Sequence, residues 1–194
     1  ILQAYGWDEG WRIMTAMAGN IRNFSRSGSD TPRDTALGEI ACGLAIDVYA
    51  WRQLAEAGSD IIGFIFPQGL TVINPDAMGV LKGAPEKELA QQFVAFTLSD
   101  EGQKLWVLKK GTRYGPRDFD LTRMSIVPGF AERFGTDASV TVDAFKAKPG
   151  ITYDPEKGSS RWTVINDLIG AALIDPHPLL VSAWQNIKDK GAES

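Results

Sequence analysis

The chain has 194 residues, with 20 Lys and Arg against 24 Asp and Glu, and a formal net charge of −4. Hydrophobic residues make up 44% and charged residues 23%, a globular composition that excludes a disordered or fibrous chain. No basic stripe is present, so we do not expect nucleic-acid binding. No run approaches the roughly 20 apolar residues that a membrane-spanning helix needs.

Hydrophobic periodicity and turn residues predict helices and short strands along the chain. The predicted helices cover 9–17, 31–38, 48–57, 85–98, 99–110, 159–173 and 179–187. The predicted strands cover 21–24, 40–46, 60–66, 70–73, 78–81 and 140–145. The most regular helix is 85–98, in which Leu89, Phe93 and Phe96 form an apolar stripe.

The stretch from Ile40 to Ile46 is central to the predicted fold. Its residues are all apolar or small and carry no charge, which is typical of a strand buried on both faces of a parallel sheet. Asp47 ends this run, and a helix begins directly after it. A second apolar run, 60–66, follows that helix and ends at Pro67. These units predict an α/β fold with a mostly parallel sheet flanked by helices.

Residues at the carboxyl ends of these strands are candidate binding residues, because ligands of open α/β sheets bind at that edge. Asp47 and Tyr49 follow the first strand, and Phe66 and Pro67 follow the second. A carboxylate beside a phenol could bind a hard cation or an amine. The alternative is structural: Asp47 caps the helix that it begins, and Tyr49 is an ordinary half-buried aromatic residue.

A second candidate element is the loop Ser27-Gly28-Ser29-Asp30-Thr31, which precedes a predicted helix. Its hydroxyl groups, on Ser27, Ser29 and Thr31, could donate to an anion at the helix N-terminus. The loop therefore adds three residues to the predicted site.

The motifs that would indicate catalysis are missing from the sequence. It contains no Gly-x-Ser-x-Gly, His-Glu-x-x-His, Cys-x-x-Cys, P-loop or Gly-x-Gly-x-x-Gly pattern. The single histidine, His177, lies between two prolines and is predicted to be a solvated turn residue. We therefore expect a protein that is not an enzyme and carries no cofactor.

Four stretches of the sequence together resemble one known family. They are Leu37-Gly38-Glu39 with 45–50, then 63–74, then 81–86, and the predicted helix pair that contains Leu98-Ser-Asp-Glu-Gly-Gln-Lys-Leu-Trp. The family is the extracytoplasmic solute-binding proteins of ABC transporters, and the most similar group is the ferric-iron-binding-like type. The resemblance covers about residues 5 to 130.

This resemblance implies a type II periplasmic-binding-protein-like fold, in which two α/β lobes trap a solute between them. By the same resemblance, 1–66 and 116–194 form the second lobe, and 67–115 returns to the first lobe. The sequence starts at Ile1, with no leader, so we expect that the N-terminal part, with most of the first lobe, is missing. That lobe or a second chain would then cover 67–115.

The resemblance also implies a periplasmic location and delivery of a small molecule or metal ion to an inner-membrane ABC permease and its ATPase. In iron-binding members, two adjacent tyrosines ligate the metal. The matching pair here is Val48-Tyr49, preceded by Asp47, so Asp47 and Tyr49 would be ligands if the solute is a metal. Ferric iron, another metal complex, a polyamine and a small phosphonate or carboxylate all remain open. An effector-sensing domain of a transcription regulator and an enzyme on the same fold are the alternative functions.

Overall fold

The computed structural model describes residues 1–67, 69–147 and 150–191. In that part of the chain, regular structure is helical. The α-helices are α1 (Leu2–Tyr5), α2 (Trp7–Ala18), α3 (Asp30–Ala36), α4 (Asp47–Ala57), α5 (Lys87–Leu98), α6 (Asp100–Val107), α7 (Pro155–Ile169) and α8 (His177–Asp189). Short 3-10 turns cover Ala131–Arg133 and Gly135–Asp137, and a π-helical turn, Gly170–Ile174, continues α7.

The predicted α/β fold is wrong. Across the described residues there is no β-strand, and the one β-type pairing is an isolated antiparallel bridge between Leu108 and Ala138. The described residues therefore do not form the mostly parallel sheet flanked by helices, or the type II arrangement of that sheet. The six stretches predicted as strands are turns, bends or segments without regular secondary structure instead.

The central stretch shows why this prediction failed. Residues 42–46 have no regular secondary structure and no ladder partner, and Leu44 is 72% exposed. In the second run, Ile62 is buried while Ile65 is 83% exposed. An apolar run predicts burial, but a strand also needs a neighbouring backbone to pair its N–H and C=O groups. These segments have no such neighbour among the described residues.

The helix predictions are largely confirmed, because each rested on a local signal. Ser99 caps α6, since its hydroxyl accepts a hydrogen bond from the backbone N–H of Gly102 at 3.2 Å. Helix α4 covers Asp47–Ala57, and its C-cap residue is Gly58, which has a φ of 93°. Helices α7 and α8 begin earlier than predicted, and Asp154 caps α7 by accepting from the N–H of Lys157 at 3.0 Å.

The chain divides into two compact units. Unit 1 comprises Ile1–Ser27, Phe66–Val72 and Pro149–Ser194, and unit 2 comprises Gly28–Ile65 and Ile73–Lys148. The lobe boundaries inferred from the family resemblance, at 66–67 and 115–116, stay a prediction.

Each unit has its own small apolar core. In unit 1, Met14 and Ala18 of α2 pack with Leu173, and helices α2 and α8 contact each other. The core of unit 2 consists of Val107, Phe130, Ala131 and Ala138, with Trp106, Val127 and Phe134 packed against it. Neither core cluster includes a residue of the central stretch 40–46.

The apolar stripe of α5 lies on the surface of unit 2. Leu89 is 62% and Phe93 57% exposed, and Phe96 is also exposed. The sequence predicted this stripe. That another lobe or a second chain covers it stays a prediction.

Within the described residues, no single helix is both long and apolar enough to cross a bilayer. The stretches Pro155–Ile174 and His177–Asp189, bent by 56°, meet the length and composition criteria only when taken as a pair.

Candidate functional site

The first turn of α4 presents the two central site residues of the sequence prediction. Ile46 precedes the helix in an extended conformation, with φ −76° and ψ 136°. Asp47 then uses Oδ1 to accept a hydrogen bond from the backbone N–H of Val48 at 2.8 Å. One carboxylate oxygen of Asp47 thus accepts from an N–H at the start of its own helix. For this oxygen, the contact supports the alternative that Asp47 caps the helix.

Tyr49 lies against the backbone of Gly28. A Cβ placed on Gly28 would lie 2.9 Å from Tyr49 Cε2, 3.1 Å from Cδ2 and 3.6 Å from Cδ1 of Ile46. Only a residue without a side chain allows this approach. The structure therefore brings the phenol of Tyr49 beside the hydroxyl-bearing loop, two elements that the sequence predicted separately.

Thr31 joins the same surface through the central stretch. A Cβ on Gly43 would lie 2.1 Å from Thr31 Cγ2, so the backbone at Gly43 lies directly against the methyl group of Thr31. The carbonyl of Thr31 accepts from the hydroxyl of Thr35 at 2.8 Å. Helices α3 and α4 also pack against each other.

We name residues 28–31 and 46–49 the α3–α4 surface. Ser29 is the N-cap residue of α3, and its carbonyl accepts from the N–H of Arg33 at 3.3 Å. The guanidinium of Arg33 lies 3.3 Å from the carboxylate of Asp30 and 2.9 Å from that of Asp34. The surface thus combines hydroxyls, carboxylates and a half-exposed phenol on a pair of packed helices.

The other three predicted site residues fall in unit 1. Ser27 ends its first segment, and Phe66 and Pro67 begin its second. The carbonyl of Pro67 accepts from the N–H of Leu70 at 3.3 Å and from the hydroxyl of Thr71 at 2.9 Å. A ligand-binding role for Ser27, Phe66 and Pro67 stays a prediction.

Sequence reasoning missed Thr122, which contacts the α3–α4 surface. Its side chain is 1% exposed, and its hydroxyl donates to the carbonyl of Val48 at 3.3 Å. Its φ is 49°, a region that β-branched residues rarely occupy. The stretch lacks periodicity, and a threonine gives no local signal for such a backbone, so the sequence could not reveal it.

The Ser-x-Glu-Gly-Gln stretch that carries the family resemblance has a structural role here. A Cβ on Gly102 would lie 2.1 Å from the carbonyl oxygen of Phe96, so glycine permits the sharp turn between α5 and α6. Gln103 is buried, and its Nε2 donates to the carbonyl of Thr97 at 2.8 Å. Its Oε1 accepts from Ser125 Oγ at 2.8 Å and from the N–H of Ile126 at 3.1 Å.

Asp143 and His177 are engaged in contacts of their own. Backbone N–H donors of Phe145 and Gly129, each 2.9 Å from the carboxylate, lower the pKa of Asp143.

His177 is half-buried at the start of α8, with Nε2 3.3 Å from the carbonyl oxygen of Ile21 and its ring edge-on to Phe24. It is therefore not the solvated turn residue that was predicted.

A metal would find few protein ligands near Asp47. Among the described residues, no group of three or more His, Cys, Asp or Glu side chains could hold a metal ion. Asp47 and Tyr49, the two residues that the sequence predicted as metal ligands, are alone too few oxygen ligands for a hard cation.

Comparison with known proteins supports the resemblance seen in the sequence. The family model described as a bacterial extracellular solute-binding protein matches residues 3–117, a span that contains the whole α3–α4 surface. The finer assignment to the ferric-iron-binding-like group is not confirmed by this match.

Two curated relatives have the same name. The phosphoglycerate transport regulatory proteins PgtC of Salmonella typhimurium and Salmonella typhi are each 28% identical to this chain over 105 residues. That alignment covers 54% of this chain and 25% of each relative, so the chain matches about a quarter of their length. No solved structure matches the chain. Because the family model covers more than half of the sequence, the chain belongs to the bacterial extracellular solute-binding protein family.

Proposed function

We propose that the chain binds a small polar solute on its α3–α4 surface, outside the cytoplasm, as part of an ABC import system. In this role it binds without turnover and delivers the solute to the permease and ATPase in the inner membrane. The family membership supports solute binding for transport. The observation that carries the location of the site is the packing of Gly28 on Tyr49, which joins the two predicted halves of the site in unit 2.

The chemistry of this surface favours a solute that offers several hydrogen-bonding groups. One oxygen of Asp47 is engaged by the N–H of Val48, while a phenol and hydroxyls can both donate and accept. A few convergent polar groups on a firm scaffold are the usual basis of small-molecule recognition. Ferric iron is the less favoured solute, because hard cations need more oxygen ligands than Asp47 and Tyr49 supply.

A first test is a screen of thermal stability with a defined set of solutes. We would use 3-phosphoglycerate, inorganic phosphate, spermidine, and ferric citrate with citrate alone as its control. The first of these is included because both relatives are named as phosphoglycerate transport regulatory proteins. A true solute at about 100 times its Kd raises the free energy of unfolding by about 2.7 kcal/mol. If none of these four probes shifts the midpoint of thermal unfolding, the binding of such solutes by this chain is rejected.

Trp51 offers a second readout close to the proposed site. It lies in α4, and its ring is edge-on to Phe64 at a centroid distance of 5.7 Å. A solute that moves the first turn of α4 should change the fluorescence of this indole. The Trp51→Phe variant is the control, since it should remove that part of the signal and leave the thermal shift.

A sensing role is the second candidate. It is favoured by one observation, that both relatives are named as regulatory proteins. In that case the chain would report the solute to a regulator of transport. Deletion of the protein would then abolish solute-dependent expression of the transporter, whereas a delivery role predicts loss of uptake even when the transporter is expressed constitutively.

A further inference from the structure

Thr122 has an unusual backbone for a buried threonine. It is the one non-glycine residue with positive φ in the part of the chain that the structure describes, and its side chain is 1% exposed. A β-branched side chain in this region carries steric strain, which persists only where surrounding contacts hold it. A glycine would take φ 49° without that strain, but it has no hydroxyl group.

The hydroxyl of Thr122 is directed at the proposed site. It donates at 3.3 Å to the carbonyl of Val48, 74 positions earlier in the chain. That carbonyl belongs to the residue between Asp47 and Tyr49. A hydrogen bond at this point therefore restrains the peptide unit that connects the carboxylate to the phenol.

The segment that follows Thr122 is itself held in place. The N–H of Arg123 donates to the carbonyl of Trp106 in α6 at 3.2 Å, and its guanidinium lies 2.5 Å from the carboxylate of Asp76. Further along, Gln103 holds Ser125 by accepting from its hydroxyl at 2.8 Å. Thr122 thus connects the first turn of α4 to a segment that is anchored on α6.

We propose that Thr122 is a positioning residue for the α3–α4 surface. It does not touch the solute. Its hydroxyl fixes the first turn of α4, and so sets the separation of the Asp47 carboxylate and the Tyr49 phenol. The effect on solute affinity rests on the proposed function, whereas the restraint on α4 does not.

The test uses three variants that separate the hydroxyl from the backbone. Thr122→Val removes the hydroxyl at nearly constant shape, Thr122→Gly removes it and relieves the strain, and Thr122→Ser keeps it. Hydrogen–deuterium exchange in the ligand-free protein reports on α4 directly. We expect amides 49–52 to exchange about two- to tenfold faster in the Val and Gly variants, the range that loss of one hydrogen bond implies. The Ser variant should restore the exchange of the original protein, and α2 should be unchanged in all three.

The second arm measures affinity for 3-phosphoglycerate and ferric citrate. Weaker binding in the Val and Gly variants, restored by Ser, supports the full inference. Unchanged exchange in α4 for both Val and Gly overturns it, whatever the affinities are. If the unaltered protein binds neither probe but α4 exchange responds as expected, the restraint on α4 is supported, and it is the proposed binding of these solutes that has failed.

Discussion

A methyl group added at Gly28 is expected to displace the ring of Tyr49. The new Cβ would lie 2.9 Å from Cε2 and 3.1 Å from Cδ2, against an ordinary contact distance of about 3.5–4 Å between carbon atoms. The ring must therefore move by roughly 0.5–1 Å. Because Tyr49 is 39% exposed, it can move outward. We thus expect Gly28→Ala to lower the free energy of unfolding by about 1 kcal/mol, at the lower end of the range for overpacking.

A double-mutant cycle assigns this loss to the ring. In a Tyr49→Ala background the obstacle is gone, so Gly28→Ala should then cost almost nothing, and the coupling should equal most of the single-variant effect. Gly79→Ala is the matched control, because nothing lies within 4 Å of a Cβ at that position. Urea denaturation provides the free energies. If Gly28→Ala costs the same in both backgrounds, the two residues do not contact, and the α3–α4 surface is wrongly constructed.

Three further predictions concern contacts within unit 2. Gly43→Ala should strongly lower the free energy of unfolding, because its Cβ would lie 2.1 Å from Thr31 Cγ2. Thr31→Ser removes that methyl group, so adding it to Gly43→Ala should recover much of the lost stability. No recovery would contradict the contact. Gln103→Met should cost about 2–4 kcal/mol in urea denaturation, because it leaves buried hydrogen-bonding partners unsatisfied; a cost below about 0.5 kcal/mol would show that the buried network is not formed. The contacts that lower the pKa of Asp143 also stabilise the folded protein. This stabilisation is present above the ordinary carboxyl pKa of 3.8 and is lost as the pH falls through the lower folded-state value. Denaturation between pH 5 and pH 2 should therefore show a shallower acid-side loss in Asp143→Asn than in the unaltered protein, and equal slopes would contradict the assigned contacts.

Local signals in the sequence predicted the helices because caps and apolar residues at helical spacing lie within or next to each helix. Ser99 caps α6 through a bond to an N–H three residues away, and α5 repeats apolar residues at helical spacing. The strands failed for the opposite reason. Whether 40–46 pairs with another segment depends on residues far away in the chain, and an apolar run alone cannot show that a partner is present.

The candidate site divides in the same way. Asp47 and Tyr49 were found because they follow a marked change from an apolar run to a helix. The contact of Tyr49 with Gly28, by contrast, joins segments about twenty positions apart and became visible only in the structure. Thr122 is further still, and its unusual φ is imposed by tertiary contacts that no local pattern encodes.

The most direct test of the account is the affinity of the Asp47→Asn/Tyr49→Phe double variant, measured by titration calorimetry with whichever probe the unaltered protein binds. The matched control is Asp60→Asn/Tyr5→Phe, which makes the same chemical changes at two other exposed positions. We expect at least tenfold weaker binding in the first variant, equivalent to about 1.4 kcal/mol, and unchanged binding in the control. Equal affinity of the two variants would contradict the assignment of the α3–α4 surface as the solute site.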